Sequence, residues 1–300
     1  MTLPGFSIAA SAFIAVAALA GAPPAASQPA SCNAALNAPQ RPFRIYGNTY
    51  YVGTHGVASV LIASREGSVL IDGDLAVSVP QIAANISSLG FALTDVKLIL
   101  NSHVHCDHAG GIAGLQRMSG ATVEASPSSA AILRQGGVGA DDPQRGIGAP
   151  IAAAANVRTL TDGETLHVGA IAVTAHFTPG HTAGGTSWTW LACERKRCLH
   201  IVYADSLSAV SAPHFRFTGS DAYPRALDDF HRSFAVLSSL PCDILITVHP
   251  EFGNLWQRLD RRSRGNPDAL IDSGACRRYA DAAKKGLARR IAQEAATRAK

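Results

Sequence analysis

Short runs of aliphatic, β-branched and aromatic residues, separated by turns that contain glycine, dominate the chain beyond Pro42. Runs bounded in this way are typical of strands. In the first half, the runs that predict strands are residues 48–53, 59–64, 68–72, 96–100 and 122–125. Apolar positions at helical spacing predict a helix at residues 77–89, a Gly-rich stretch at residues 108–118 opens the next helix, and the alternation continues with a helix at residues 128–135. Strands therefore come first in this half and then alternate with helices.

The second half repeats this arrangement after a loop at residues 136–150. Its predicted strands are residues 171–177, 186–192, 200–204 and 243–248, and helical spacing covers residues 222–240. Two successive mixed halves favour α/β layers with the helices outside. Because no linker separates the halves, we expect a single domain over residues 42–300.

The first residues differ in composition from the rest of the chain, because residues 6–22 are nearly all apolar and carry no charge. An apolar run of this length, followed by small residues, is typical of a secretory signal peptide and is short for a membrane span. We therefore expect a signal peptide at residues 1–27, a linker at residues 28–41, and export to the periplasm without stable membrane insertion after cleavage. A retained anchor is the alternative.

Charge and composition exclude few classes of function. The 300 residues carry a formal net charge of +4 and are 47% hydrophobic, which predicts a soluble globular protein. Much of the basic charge lies between Arg277 and Lys300 and alternates with Ala, Leu and Ile at helical spacing, as on the solvated face of an amphipathic helix. Nucleic-acid binding is therefore not expected. A monomer is favoured, with the oligomeric state left open.

Six cysteines support an oxidising compartment, although six reduced and buried thiols are the alternative. Cys193 and Cys198 flank residues 194–197 between two predicted strands, so a hairpin would bring them within disulfide reach. Cys242 and Cys276 are placed so that a bridge would tie the last helix to the body. The states of Cys32 and Cys106 stay open, and Cys106 is expected to be a buried spectator.

The most informative segment follows the predicted strand at residues 96–100 and reads Asn-Ser-His-Val-His-Cys-Asp-His-Ala-Gly-Gly. In extended backbone, residues two apart share a face, so His103, His105 and Asp107 should point the same way. His108 follows as the chain turns into a helix. Buried without partners, these groups would be costly, and a divalent metal satisfies them. Imidazole with carboxylate favours zinc, with iron or manganese as alternatives.

This segment, together with Thr178-Pro-Gly-His181-Thr and Thr247-Val-His249-Pro, resembles the metallo-β-lactamase superfamily. The stretches Ile45-Tyr-Gly-Asn-Thr-Tyr-Tyr-Val-Gly53 and Val69-Leu-Ile-Asp-Gly73 resemble the N-terminal strands of its subclass B3. The likeness covers nearly all of residues 42–300. It implies an αβ/βα four-layer sandwich, in which two mixed sheets have helices outside and the metals lie in a cleft at one edge.

The resemblance also implies two zinc ions per chain. His103, His105 and His181 would bind one ion, and Asp107, His108 and His249 would bind the other. His181 follows a Pro-Gly turn and His249 ends an apolar strand, both places where loops present ligands.

The implied activity is opening of the β-lactam ring of penicillins, cephalosporins or carbapenems, which gives antibiotic resistance. Two zinc ions about 3.5–4 Å apart lower the pKa of a shared water from about 15.7 to near 7. Asp107 would be catalytic as well as a ligand, because it can orient the attacking group or pass on its proton. His108 in place of Arg, and Ser in place of Cys within residues 203–208, favour subclass B3. Ser206 and Ser208 are expected to bind the substrate carboxylate as hydroxyl donors.

Two other functions stay open. The fold hosts many chemistries, so the substrate could be a thioester, a lactone, a sulfate ester or a phosphate ester. Asp205 discriminates this possibility, because it would then bridge both metals. The second is a zinc-binding protein without turnover, which would take up metal and hydrolyse nothing.

Overall fold

The protein is described here by a computed structural model that covers residues 1–2 and 32–298. The predicted signal peptide beyond Thr2 and residues 28–31 of the predicted linker lie outside the described residues. Every helix within the described ranges is too short or too polar to cross a lipid bilayer.

The described residues form strands and helices in the alternation that the apolar pattern predicts. The strands are β1 (Phe43–Tyr46), β2 (Thr49–Tyr51), β3 (Val60–Ala63), β4 (Ser68–Ile71), β5 (Val96–Leu100), β6 (Thr122–Ala125), β7 (Val157–Thr159), β8 (Thr165–Val168), β9 (Ile171–Phe177), β10 (Thr186–Glu194), β11 (Arg197–Ala204) and β12 (Ile244–Thr247). The helices are α1 (Val79–Ser88), α2 (Cys106–Ala109), α3 (Ile112–Ser119), α4 (Pro127–Gln135), α5 (Ala226–Ser239), α6 (Leu255–Ser263) and α7 (Ala275–Arg298).

The strands make two mixed sheets. The first sheet has the order β1-β2-β3-β4-β5-β6-β7, and the second has the order β12-β11-β10-β9-β8. Strands β1 to β4 pair antiparallel, whereas β4 to β7 pair parallel. In the second sheet only β11 and β12 are parallel. Helices therefore serve as crossovers where parallel pairing demands them.

Alternation along the buried strands divides the interior into layers. In β3, Val60 and Ile62 join the core between the two sheets, and Leu61 joins a second core beneath α1, α3 and α4. A third core packs α5 and α7 against the outer face of the second sheet, and its buried residues include Val202 of β11 with Phe230 and Phe234 of α5. The side-chain period of two explains how one strand serves two layers. The expected four-layer αβ/βα sandwich is confirmed.

The predicted helix at residues 108–118 is two helices, α2 and α3, because a pair of glycines interrupts it. A Cβ atom built on Gly111 would lie 2.0 Å from the carbonyl oxygen of Gly73. Glycine at this position therefore lets α3 begin directly against the loop that follows β4.

The ends of four strands place the candidate site. Strands β5, β9, β11 and β12 end immediately before the segments that carry the predicted ligands or their neighbours. A backbone hydrogen bond of 2.8 Å from Thr186 N to Ser102 O joins the two sheets at this edge. Carboxyl ends of strands are where α/β folds gather functional groups.

Candidate metal centre

The segment after β5 is held by a buried carboxylate. Asp72 accepts hydrogen bonds from Ser102 N at 2.7 Å and from Ser102 Oγ at 2.6 Å. Tyr203 Oη donates to the same carboxylate at 2.8 Å. Asp72 has a φ of 59°, in the left-handed region that non-glycine residues rarely adopt. Three hydrogen bonds thus stabilise a strained residue, and the path of the chain into the first histidine is fixed.

Strand-like alternation ends earlier than the sequence suggests. His103 and His105 do share the site, with ring centroids 4.8 Å apart. Helix α2 begins at Cys106, so Asp107 lies in its first turn and does not continue the alternation. The predicted extended alternation therefore stops before Asp107, which reaches the site from the first turn of a helix instead.

The structure brings the six predicted ligands together in two adjacent groups. The first triad comprises His103, His105 and His181, and the second triad comprises Asp107, His108 and His249. Within each triad the candidate ligand atoms lie within 4.8 Å of one another. The two triads adjoin, since the ring centroids of His103 and His108 are 4.3 Å apart.

In the first triad, one nitrogen of each ring is engaged outside the centre. His103 Nδ1 lies 2.7 Å from Asp205 Oδ1, and His105 Nε2 lies 3.0 Å from both oxygens of Asp142. His181 Nδ1 lies 2.7 Å from the carbonyl oxygen of Ser208. Each bond fixes a tautomer and leaves the other ring nitrogen as an acceptor, which is how metal-binding histidines are usually arranged.

The second triad is organised around one carboxylate oxygen. Asp107 Oδ2 lies 3.3 Å from His108 Nε2 and 3.5 Å from His249 Nε2. The other nitrogen of His249 is bound to the carbonyl oxygen of Gly56 at 3.1 Å. Two imidazole nitrogens and one oxygen therefore converge on a single point.

Several polar atoms at the centre are buried without a hydrogen-bond partner among the described residues. They include His103 Nε2 and Asp107 Oδ1. Unpaired polar atoms at such depth are costly, and coordination to a cation removes the cost. The donor set of five imidazoles and one carboxylate, without thiolate, fits zinc.

Burial and mutual repulsion lower the pKa of three of these histidines, His103, His181 and His249. Burial, assisted by His108, lowers the pKa of His103 well below its usual value. Burial and the neighbouring His105 lower the pKa of His181 to about 3. Burial and His108 lower the pKa of His249 to about 4. Neutral imidazole is the form that binds metal.

The carboxylate of the second triad stays charged. Burial alone would raise the pKa of Asp107, but the charge and hydrogen bond of His108 outweigh burial and lower it. For His108, burial acts to lower the pKa, and the opposing effect of Asp107 raises it. A cation bound at this point would compete with protonation of this pair.

Two carboxylates whose supporting role the sequence does not predict hold histidines of the first triad. Asp142 lies in the loop at residues 136–150, and nothing in its spacing marks it as the partner of His105. For Asp205, the sequence suggests only a role as a bridging ligand in the alternative function. The structure instead places its Oδ1 on His103 Nδ1, and neither triad includes it.

Ser206 and Ser208 border the first triad. Their hydroxyl oxygens lie 2.9 Å apart, and Ser208 Oγ lies 3.2 Å from His181 Nδ1. Ser206 is 1% exposed, whereas Ser208 is partly exposed. Ser208 is therefore the more accessible of the two hydroxyls.

Three disulfides link the six cysteines. The bridges Cys193–Cys198 and Cys242–Cys276 are present as the sequence predicts. Cys106 is buried and belongs to neither triad, and it is bonded to Cys32, a pairing that the sequence leaves open. Because Cys106 lies between two predicted ligands, this bridge ties the segment before β1 to the centre.

Comparisons with known proteins agree with this geometry. A family model for the metallo-beta-lactamase superfamily matches residues 52–192, a range that includes five of the six residues of the two triads. The Rm3 metallo-beta-lactamase is 54% identical, with a TM-score of 0.86, and the match covers 87% of this chain and 97% of that chain. MEM-A1, a subclass B3 metallo-beta-lactamase from a soil metagenome library, is 52% identical, with a TM-score of 0.85 and coverage of 87% and 99%. The metallo-beta-lactamase SMB-1 is 45% identical, with a TM-score of 0.84 and coverage of 86% and 99%.

Proposed function

The chain belongs to the metallo-β-lactamase superfamily, and we propose that it opens the β-lactam ring of penicillins, cephalosporins or carbapenems by zinc-dependent hydrolysis. The observation that carries the proposal is the convergence of two complete ligand triads at one edge of the sandwich. Three relatives that share the fold at 45–54% identity are named as metallo-beta-lactamases. Such an activity would confer antibiotic resistance.

The first triad would hold one zinc ion, and the second triad would hold another. The unpartnered His103 Nε2 fits this assignment, because it would gain the ion as its partner. When bound, the zinc pair polarises the lactam carbonyl and acidifies a water molecule.

Asp107 would act at the reacting centre. Its Oδ2 faces His108 and His249, which leaves Oδ1 to orient the attacking water or to accept its proton. Its position in the first turn of α2 holds the carboxylate still, since the helix backbone and the Cys32–Cys106 bridge both anchor this turn.

Ser206 and Ser208 would bind the carboxylate that β-lactams carry on the fused ring. Ser208 Oγ lies beside His181, so a carboxylate bound there places the lactam ring next to the first triad. Hydroxyl groups donate hydrogen bonds to a carboxylate without adding charge. The serines thus orient the substrate and leave charge stabilisation to the metals.

The alternative ester, lactone or thioester hydrolase required Asp205 to bridge both metals. Its Oδ1 instead lies 2.7 Å from His103 Nδ1, behind the ring. This position supports the β-lactamase assignment over that alternative.

We also propose that the protein is exported to the periplasm. Three disulfides among the described residues support an oxidising compartment.

The test is an assay of the purified mature protein with a carbapenem and a cephalosporin, with zinc counted before and after chelation. We expect two zinc ions per chain, and activity that disappears on chelation and returns with added zinc. The variant His181→Ala should lose turnover, whereas His167→Ala, which removes an exposed histidine on β8, should retain it. Hydrolysis of neither drug with both metals bound would overturn the proposal, as would full activity of His181→Ala.

A further inference from the structure

The loop between β2 and β3, residues 52–59, supports one ligand of the second triad. The carbonyl oxygen of Gly56 accepts a hydrogen bond from His249 Nδ1 at 3.1 Å. Ala58 N donates to the carbonyl oxygen of Val248, the residue before His249, at 2.9 Å. The position and the tautomer of His249 therefore depend on where this loop lies, because the partner behind a metal-binding imidazole orients the ring.

Asp74 holds this loop through its side chain. Its Oδ2 accepts a hydrogen bond from Thr54 N at 2.8 Å, and its Oδ1 accepts one from Ser59 Oγ at 2.6 Å. These partners lie on either side of Gly56 along the chain, and all three residues that make the two bonds are fully buried. The carboxylate thus fixes both ends of the segment, residues 54–59, that presents the Gly56 carbonyl to His249.

The backbone at Asp74 is tied to the other two ligands of the second triad. The carbonyl oxygen of Asp74 accepts a hydrogen bond from Gly111 N, at the start of α3, at 3.0 Å. The neighbouring Gly73 N donates to the carbonyl oxygen of His108 at 2.9 Å. Helix α2, which carries Asp107 and His108, is therefore held on the same short segment that holds the loop behind His249.

Aspartate is a costly residue at this position. Its φ of 50° lies in the left-handed region that residues other than glycine rarely adopt. Burial raises the pKa of Asp74 to about 7, although the hydrogen bonds from Ser59 and Thr54 act to lower it. Backbone strain of this kind is concentrated at functional sites. Glycine would adopt the same backbone without strain, so the contacts of the carboxylate are what favour aspartate here.

We propose that Asp74 is a positioning residue for the second metal ion, because it fixes His249 relative to Asp107 and His108. This inference rests on the proposed binding of two zinc ions. Loss of the carboxylate should weaken zinc binding at the second triad alone.

The first triad has a separate set of supports. Its three histidines are oriented by Asp205, Asp142 and the carbonyl oxygen of Ser208, and none of these residues belongs to the loop at residues 52–59. A role of Asp74 in positioning therefore differs from a general role in stability by its selectivity for one triad.

The test isolates each triad. Only the second triad is complete in a His181→Ala protein, and only the first is complete in a His249→Ala protein. Competition with a chromophoric chelator measures zinc affinity in each background. Asp74→Gly removes the carboxylate and suits the left-handed backbone. It should lower zinc affinity about 10-fold in the His181→Ala background and leave it unchanged in the His249→Ala background.

Two further variants serve as controls. Asp74→Asn should keep nearly the parent affinity, because its amide oxygen can accept from Thr54 N and its amide nitrogen can donate to the Ser59 hydroxyl. Asn156→Gly is the matched control, since Asn156 has the same φ of 50° and its side chain bonds to Thr122, which belongs to neither triad. It should leave both affinities unchanged.

A readout without metal follows the loop itself. In the metal-free protein, hydrogen exchange measured by mass spectrometry should be faster at residues 54–59 in Asp74→Gly than in the wild type. Equal losses of zinc affinity in both backgrounds, or none in either, would overturn the positioning role and leave the two-zinc proposal standing.

If Asp74→Gly does not fold, Ser59→Ala decides, because it removes one of the two bonds to the carboxylate. It should lower the zinc affinity of the second triad about 2- to 10-fold, and unchanged affinity would overturn the inference. If the wild type does not bind two zinc ions, the two-zinc proposal falls and this inference falls with it.

Discussion

Asp205 Oδ1 accepts a hydrogen bond from His103 Nδ1 at 2.7 Å, and both side chains are fully buried. The bond holds the proton of the imidazole on Nδ1 and directs Nε2 into the first triad. A carboxylate behind a ligating histidine also raises the basicity of the ring. Asp142 stands in the same relation to His105. Two of the three histidines of the first triad are thus oriented by a buried acid.

Removal of the Asp205 carboxylate should weaken zinc binding. For Asp205→Ala we expect an affinity about 10- to 100-fold lower, measured by competition with a chromophoric chelator. Asp205→Asn, which keeps an acceptor of similar shape, should lose less. The control is Asp243→Ala, because Asp243 pairs with His200 at 3.5 Å outside both triads. Wild-type affinity in a folded Asp205→Ala protein would contradict the orienting role.

The Cys32–Cys106 bridge should affect both stability and metal affinity. It spans 74 residues, and replacement of both cysteines by alanine should lower the free energy of unfolding by about 4 kcal/mol. Zinc affinity should also fall, because Cys106 lies between His105 and Asp107.

The matched control for that variant is Cys242→Ala with Cys276→Ala, a bridge that spans 34 residues and neither of whose cysteines is adjacent in sequence to a residue of the two triads. It should cost about 3–4 kcal/mol of stability with unchanged zinc affinity. Denaturant unfolding and chelator competition distinguish the two variants. Equal zinc affinity in both would remove the link between the first bridge and the centre.

Ser208→Ala should weaken substrate binding with little change in the chemical step. Loss of one hydrogen bond to a carboxylate predicts a KM about 5- to 10-fold higher. Ser206→Ala should have a smaller effect, because Ser206 is only 1% exposed. A β-lactam with an esterified carboxylate provides the control, since its KM should not respond to Ser208→Ala. An equal response of acid and ester would exclude carboxylate binding at Ser208.

The contacts of Glu294 predict that the attachment of α7 to the loop at Phe217 and Thr218 depends on pH. It accepts hydrogen bonds from Phe217 N at 3.0 Å, Thr218 Oγ1 at 2.8 Å and Arg290 Nε at 2.9 Å. Burial acts to raise the pKa of Glu294, but these bonds outweigh burial and lower it.

Because the folded pKa lies below the unfolded value of about 4.3, this carboxylate stabilises the fold at neutral pH. The contribution is lost as pH falls through the folded pKa. Glu294→Gln should therefore be about 1–3 kcal/mol less stable than the wild type at pH 7, with a difference that shrinks in acid. Urea unfolding at several pH values measures this difference, and a constant difference down to low pH would contradict the assignment.

Local pattern predicts most of the strands and helices, since buried strands such as β5 are compact apolar runs bounded by polar residues. It does not predict β1, β7, β8 or α6. Strand β7 lies at a sheet edge and exposes Arg158 and Thr159, so it lacks the apolar run that marks a central strand. Short edge strands form because a neighbour pairs with them, and a neighbour is not visible in local sequence.

The same limit applies to the site. The six residues of the two triads could be named because they stand in recognisable short motifs. Their supporting acids could not be assigned, because Asp142 lies 37 residues from His105 and Asp205 lies 102 residues from His103. Only the tertiary fold brings such partners together.

The hydrogen bonds between Asp142 and His105 couple the loop at residues 136–150 to metal binding at the first triad. The loop is closed by a bridge between Gly137 and Ile151 and is tied to Ala212, whose N–H donates to Pro143 O at 2.8 Å. A mutation that reshapes this loop would shift Asp142 and change how firmly His105 is held. A loop mutation that is selected because it admits a new antibiotic would therefore also change zinc affinity. The resistance that such a mutation gives would then depend on how much zinc the host supplies.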